Sequence, residues 1–352
     1  MDNTKWLLEN AGYPIKYSLT RDPSYIGPML ENEEARAWLG RLTDRALCGN
    51  LSNIHGSHDY RYENIAGKCF ILGLDANVPP LDIAMRFFIR FLEGHIHAPC
   101  EDKLTFGKIY QYRDYETLMA CYLPLLGYAR EPSVAYVAHK RANILYEFTR
   151  QKRYDIYRGD LSYPGANKAW KPYIVDPELY KDGNIALPSI HDMILLAGMY
   201  PHFGPDMKHK VETIVQWLFG EGYASINDSL YYYAPDDPRY KSKSVNAKIR
   251  LFDFEKADPS PGELKSLLFQ FFIFSHFETA KNARWFSAGL NFLDRYQTDA
   301  GRYSFPKEMI AEQKDCCVYS GGHMNVGENK KAKAYGEILS TYWMERIHQN
   351  AR

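Results

Sequence analysis

Apolar positions along this chain recur at helical spacing, in pairs of segments joined by short loops rich in proline, glycine and aspartate. Four such pairs have similar composition but no fixed period. A pair of helices cannot bury its own apolar face, so the copies must pack on one another, in a line or in a closed ring. The predicted pairs of helices cover residues 60–73 with 81–94, 115–127 with 133–150, 193–200 with 206–220, and 264–276 with 283–296.

The remaining pattern adds helices over residues 2–17, 31–47 and 334–349, and Pro14 is expected to end the first of them. Only residues 249–254 alternate as a strand would. We therefore predict an all-α protein of five to six helical hairpins. Its terminal helices carry aromatic faces, whereas a linear solenoid needs polar capping repeats, so we favour a closed α/α toroid with a central cavity.

A single domain is expected over residues 1–352. It would comprise N-terminal helices (1–50), helical repeats (59–296), and a C-terminal loop with a closing helix (297–352). Two long loops, at 152–188 and 221–261, are unusually aromatic, and long loops on a rigid scaffold are often functional.

Aromatic residues make up 15% of the chain, with 28 tyrosines. A tyrosine offers a flat apolar body and one polar tip, which suits pockets for ring-shaped ligands. Tyr231 and Tyr232, in the second long loop, are therefore predicted to contact a substrate. The alternative is that tyrosines lie half-buried where helices meet solvent.

Charge and cysteine usage exclude several classes of protein. Acidic and basic side chains balance at 43 each, without a dense basic run beyond residues 330–333, so no nucleic-acid partner is expected. No apolar stretch of about 18 residues occurs, so no membrane span is predicted. Six scattered cysteines and a start unlike a signal peptide predict a reduced, cytoplasmic protein. The oligomeric state stays open.

Two stretches resemble the squalene-cyclase and protein-prenyltransferase superfamily, also called the terpenoid-cyclase superfamily. Trp6–Asn10 followed by Pro14–Tyr17 resembles the opening of its bacterial members, and Phe292–Asp294 running into Gly301–Pro306 resembles the end of one of its repeats. The resemblance spans most of the chain, and implies an α/α toroid from a shorter bacterial branch.

This resemblance does not carry a chemistry across. The Asp-x-Asp-Asp run of the cyclases is absent, and the nearest acidic pair, Asp236-Asp237, lies beside prolines as in a turn. The Asp/Cys/His zinc set of the prenyltransferases is not recognisable either. Glycoside hydrolases and polysaccharide lyases also use α/α toroids, so the fold alone does not choose a reaction.

The first candidate site lies directly before the first repeat. Two histidines, His55 and His58, stand beside Asp59 and Tyr60, and all four can take part in proton transfer when their environment is tuned. We predict that His58 and Asp59 are catalytic and that His55 and Tyr60 bind substrate. The alternative for Asp59 is a helix cap.

The second candidate site lies at the start of the third repeat, where His191 and Asp192 stand as His58 and Asp59 do in the first. Equivalent helix starts gather at one end of a toroid. We therefore predict that His191 and Asp192 are catalytic, and that Asp114, which begins the second repeat, binds substrate. Glu263 would join the same rim. The alternative is that these acids complement helix dipoles.

The third candidate site is the loop 316–328 after the last repeat. The pair Gly321-Gly322 indicates a close approach of the backbone to something. We predict that His323 and Glu328 are catalytic, that Glu308 or Glu328 is the carboxylate partner of His323, and that Tyr319 binds substrate. The alternative is a well-ordered loop that plugs one end of the ring.

These residues favour an enzyme that uses acid–base chemistry, by cyclisation, isomerisation or elimination, on a ring-shaped or polycyclic substrate such as a terpenoid. The first alternative is a carbohydrate-active hydrolase or polysaccharide lyase acting on an oligosaccharide with paired carboxylates. The second is a non-catalytic helical-repeat binding protein. No cofactor is predicted. A metal site would need His and carboxylate ligands from several helices to converge, which the sequence allows, but no ligand spacing such as His-Glu-x-x-His is present, so no metal is predicted.

Overall fold

The computed structural model describes residues 2–52, 54–97, 114–180, 185–235, 241–254 and 259–352, without the side chains of residues 114, 243 and 245–247. The regular structure of this part of the chain is helical apart from one small sheet, which confirms the all-α prediction. None of its helices is both long and apolar enough to cross a bilayer.

The α-helices are α1 (Asn3–Asn10), α2 (Tyr13–Thr20), α3 (Ile26–Leu30), α4 (Glu33–Leu47), α5 (Tyr62–Ile71), α6 (Pro79–His97), α7 (Asp114–Ala120), α8 (Pro132–Thr149), α9 (Ile190–Met199), α10 (Pro205–Leu218), α11 (Pro261–Phe274), α12 (Glu278–Lys281), α13 (Arg284–Asp294) and α14 (Tyr335–Ala351). Most of the predicted helices are present with boundaries shifted by a few residues, but α7 ends seven residues before the predicted end at 127, and α3 and α12 were not predicted.

The predicted helix over residues 2–17 is wrong in one respect. The chain forms two helices there, because α1 ends at Asn10 and Pro14 lies in the first turn of α2. A proline in the first turn lacks an N–H group that would have no intrahelical partner anyway, and its fixed φ suits a helix start. Pro14 therefore opens a helix rather than ending one.

The helices form two layers. In α5 every residue is buried, and in α9 every residue except the first is buried, whereas α4, α6, α8 and α10 each keep an exposed face. The two fully buried helices are linked by α7, which packs on both α5 and α9, and α11, buried over residues 267–274, packs on α9 and α14. The half-exposed helices pack outside them, with α6 against α4 and α8, and α8 against α10.

The strand prediction for residues 249–254 is also wrong. The sheet is an antiparallel hairpin of β1 (Ser229–Tyr233) and β2 (Ser242–Ala247), so the tyrosine cluster that was expected in a loop is a strand, as aromatic residues favour. Residues 249–254 form a loop on α13, where the carbonyl of Phe252 accepts the indole N–H of Trp285 at 2.9 Å. The alternation there reflects burial in a loop.

Candidate functional site

Helix α5 places two charged side chains in the protein interior. Glu63 and Lys68 are both 0% exposed, within a segment that apart from them and Asn64 is largely apolar. A fully buried charge is stable only when it is paired and hydrogen-bonded, so each of the two gathers polar side chains around it. The sequence analysis selected neither residue. A charged side chain inside a helix of core residues is the signal that would have found them.

Lys68 lies between two carboxylates. Its Nζ is 2.8 Å from Oε1 of Glu34 and 2.8 Å from Oε2 of Glu312, and it donates to the carbonyl of Asn325 at 2.7 Å. These contacts join α4, α5 and the loop 312–328. We call Glu34, Lys68, Glu312, His323 and Asn325 the Lys68 network.

His323 belongs to the Lys68 network through Glu312. Its Nδ1 lies 2.8 Å from Oε1 of Glu312, and its Nε2 lies 3.5 Å from Oδ1 of Asp59 without a hydrogen bond in the described part of the chain. The predicted partners, Glu308 or Glu328, are therefore wrong. An antiparallel bridge puts Glu312 and His323 directly opposite each other, and this sets the pair.

The Lys68 network predicts a pH dependence of stability. Burial alone would raise the pKa of Glu312, but the Lys68 ammonium and His323 outweigh it and lower that pKa from 4.5 to about 2. A depressed folded-state pKa stabilises the protein above the unfolded value, and this contribution is lost as the pH falls from about 4.5 through about 2. We expect Glu312→Gln to flatten the decline of the unfolding free energy over that window.

Urea unfolding at pH values between about 2 and 6 measures this effect. The control is Glu9→Gln, which removes an exposed carboxylate from α1 and should leave the decline unchanged. Parallel declines for the wild type and Glu312→Gln would contradict the assignment.

His58 and Asp59 lie at the surface side of His323. Nδ1 of His58 is 3.2 Å from Oδ1 of Asp315, and the backbone N–H of Asp315 donates to Oδ1 of Asp59 at 2.8 Å. The His58 ring stacks on Tyr60, which is half exposed. The N-cap position of α5 is Arg61, and no side chain accepts a hydrogen bond there. Asp59 therefore does not cap α5, which was the alternative to a catalytic role.

A pocket of about 440 Å³ opens beside the Lys68 network, and Glu34 and Glu328 both line it. Oε1 of Glu328 accepts the backbone N–H of Gly12 at 2.5 Å, and burial raises the pKa of Glu328 above its usual range. Glu34 instead accepts from Lys68 and, at 2.6 Å, from Nδ2 of Asn325. The other lining residues are Asn32, Glu33, Ala37, Asn325, Gly327, Asn329 and Lys330.

Glu63 organises a second cluster, which we call the Glu63 trio: His55, Glu63 and His191. Oε2 of Glu63 is 2.5 Å from Nδ1 of His55, and Oε1 is 2.9 Å from Nε2 of His191. Burial raises the pKa of Glu63, but the two imidazoles outweigh it and lower that pKa to about 2. The Tyr319 ring meets the His191 ring edge-on, with the centroids 5.0 Å apart.

Asp192 lies apart from both clusters. It forms a buried two-point ion pair with Arg141, with Nε–Oδ1 at 2.7 Å and a second contact at 3.2 Å, and it completes a capping box with Ser189 at the start of α9. Glu263 forms the same kind of box with Ser260. Both acids thus do what the helix-dipole alternative expected of them. Asp114 is the first residue of α7, and its side chain lies outside the described residues.

The glycine pair approaches the protein itself. Gly321 has φ +75°, and a Cβ there would lie 1.7 Å from the carbonyl oxygen of Lys265 in α11. At Gly322 a Cβ would lie 2.4 Å from Sγ of Cys316. The loop is therefore pressed against α11, and this contact holds Tyr319 and His323 in place.

The hairpin tyrosines lie elsewhere. Tyr231 faces Ser244 across the sheet and stacks on Trp170 with the ring centroids 4.7 Å apart, while Tyr232 is fully buried against Tyr180. Neither residue is in the Lys68 network, the Glu63 trio or the pocket. Both pack the hairpin onto the long loop at 152–188.

The structure thus divides the predicted site residues into separate groups. His58, Asp59, His323 and Glu328 lie along the Lys68 network and its pocket, whereas His55, His191 and Tyr319 surround Glu63. No protein-family model matches this chain, and neither a curated protein nor a solved structure shows significant similarity to it.

Proposed function

We propose that this protein is an enzyme that uses acid–base chemistry, and that its substrate is a small, polar, hydroxylated molecule bound in the pocket beside the Lys68 network. The observation that carries the proposal is the pair of carboxylates, Glu34 and Glu328, that line one pocket in contrasting environments. Glu328 is buried against the backbone of Gly12, whereas Glu34 is paired with Lys68, and two carboxylates in different environments can take different roles in acid–base chemistry. The proposal corresponds to the first alternative of the sequence analysis, a carbohydrate-active hydrolase or lyase that uses paired carboxylates.

The two carboxylates suit different roles. Burial raises the pKa of Glu328, so this side chain can hold a proton and act as the general acid towards a leaving oxygen. Glu34 contacts the Lys68 ammonium at 2.8 Å and accepts from Nδ2 of Asn325 at 2.6 Å, and these contacts orient its carboxylate to act as the general base or the nucleophile. Lys68 and Asn325 position Glu34 and are not themselves in the catalytic pair.

The lining of the pocket supports a polar substrate. Three asparagines and a lysine contribute to it, and among the described residues that line it none is aromatic. Amide and ammonium groups hydrogen-bond hydroxyls, whereas a terpenoid would need an apolar or aromatic wall. A terpenoid substrate in an aromatic central cavity remains a prediction from the sequence, and the assay below includes it.

We also propose that the helices close into an α/α toroid. Three contacts support closure: α1 packs against α14, Thr4 donates to Glu345, and the Arg346 guanidinium of α14 lies 6.0 Å from the Phe70 ring centre of α5. The last contact joins α5, the first of the fully buried helices, to α14, the C-terminal helix. Small-angle scattering tests it, since a closed ring is more compact than a linear array of the same helices.

The proposed function is tested with aryl glycosides, uronate oligosaccharides and polycyclic terpenoids as candidate substrates. On an active aryl glycoside we expect Glu34→Gln to lower kcat by at least about 100-fold, within the range that general acid–base catalysis contributes. Glu328→Gln should lower kcat/KM as strongly for a poor leaving group. It should have little effect on kcat/KM for a dinitrophenyl leaving group, which departs without protonation.

Glu31→Gln is the matched control, because Glu31 is an exposed glutamate outside the pocket and should retain full activity. Turnover of a terpenoid alone, or activity that survives in both pocket variants, would overturn the proposal.

A further inference from the structure

The Glu63 trio is separate from the proposed catalytic pair, and its chemistry is that of a metal site. Two imidazoles and one carboxylate are the donor types that zinc prefers among nitrogen and oxygen ligands. We propose that His55, Glu63 and His191 bind a divalent transition-metal ion, Zn²⁺ in the first place.

The geometry of the trio fits a single ion. The three ligand atoms all lie within 4.8 Å of one another. In a tetrahedral set with zinc bonds of about 2.1 Å the ligand atoms lie about 3.4 Å apart, so side-chain shifts on the order of 1 Å complete the set. The ligands come from the loop before α5, from α5 and from the first turn of α9, and two of these elements are rigid, buried helices.

The charge and the access of the trio also fit. Glu63 is fully buried, and its partners in the described part of the chain are two imidazoles, which bind a metal ion in their neutral form. His55 keeps 36% of its side chain exposed, so an ion and its water can enter from that side. Three protein ligands leave a fourth position open, which is typical of catalytic rather than structural zinc.

This donor set is not the Asp/Cys/His set of the prenyltransferases. It has no His-Glu-x-x-His spacing because its ligands come from distant parts of the chain. The ligands stand at positions 55, 63 and 191, so the fold brings them together and local spacing does not. The expectation of no metal rested on the absence of a local ligand spacing, although the sequence allowed ligands from several helices to converge.

The test is a titration of the tag-free, chelator-treated full chain with Co²⁺, which reports four-coordinate nitrogen and oxygen sites by intense visible bands. We expect saturation at one ion per chain and displacement of the bands by Zn²⁺. His55→Ala should weaken binding by at least about 100-fold, because the loss of an outer-shell partner alone weakens binding by about 10–100-fold. His55 is partly exposed, so this variant should fold.

Glu63→Gln keeps the size of the side chain, and should also weaken binding. The control is His202→Ala, which removes an exposed histidine and should bind as the wild type does. Metal analysis of the protein as isolated distinguishes zinc from iron. Absence of the visible bands, or unchanged affinity in His55→Ala, would refute the site. The titration uses no substrate, so its outcome is independent of the proposed activity.

Discussion

Replacing Lys68 by methionine is expected to lower the free energy of unfolding at neutral pH by about 3–5 kcal/mol, the usual effect of removing one partner of a buried ion pair. Lys68 is fully buried between Glu34 and Glu312, so its removal leaves two carboxylates facing each other without a cation. Chemical denaturation monitored by tryptophan fluorescence measures the change. The same variant should lose the proposed activity, because Glu34 loses its positioning partner.

Lys281→Met is the matched control for this prediction. Lys281 pairs with Glu278, whose side chain is 61% exposed, so the Glu278 carboxylate stays solvated when the lysine is removed. Exposed pairs contribute about 0–1 kcal/mol. In the double variant Lys68→Met/Glu312→Gln, part of the lost stability should return, because one uncompensated charge is removed. Equal losses in Lys68→Met and Lys281→Met would show that Lys68 does not compensate a buried charge.

Replacing Arg141 by methionine is expected to have an effect of similar size, again about 3–5 kcal/mol. The guanidinium is buried, holds both oxygens of Asp192, and donates to the carbonyl of Ile185 at 2.8 Å. Its removal leaves the Asp192 carboxylate buried without the guanidinium. It also removes a hydrogen-bond donor from the carbonyl of Ile185, in the loop before α9. The measurement is again the free energy of unfolding from denaturant titration.

A double-mutant cycle isolates the pair. Arg141→Met/Asp192→Leu should be less destabilised than the sum of the single variants, since two apolar groups replace two charges. Arg150→Met serves as the control, because its partner Glu147 is 61% exposed, and we expect a loss within about 1 kcal/mol. Additive losses in the cycle would mean that Arg141 and Asp192 do not interact energetically.

The sequence predicted the helices better than the site. Helical periodicity is local, so the pairs around α5/α6 and α9/α10 are found within a few residues of the structure. The site depends on contacts across long sequence separations. His323 was selected correctly as a residue with a carboxylate partner, but its partner is Glu312, because the register of an irregular loop decides which acid lies opposite.

Two missed residues show where sequence reasoning stopped. Glu63 and Lys68 lie inside an apolar helix, and the periodic pattern tolerates them as interruptions of the buried face. Their importance follows from complete burial, which is a property of the packed protein. Once burial is known, electrostatics requires partners, and the Glu63 trio and the Lys68 network follow.

By itself the sequence determined the local structure: which segments form helices, which face of each is apolar, and that paired helices must pack together. Only the tertiary structure decided which polar groups meet. His55 and His191 are 136 positions apart and share one carboxylate, while the neighbours His191 and Asp192 serve different partners. The reason is physical: helical periodicity acts over a few residues, whereas the pairing of buried charges is settled by which helices the hydrophobic core brings into contact.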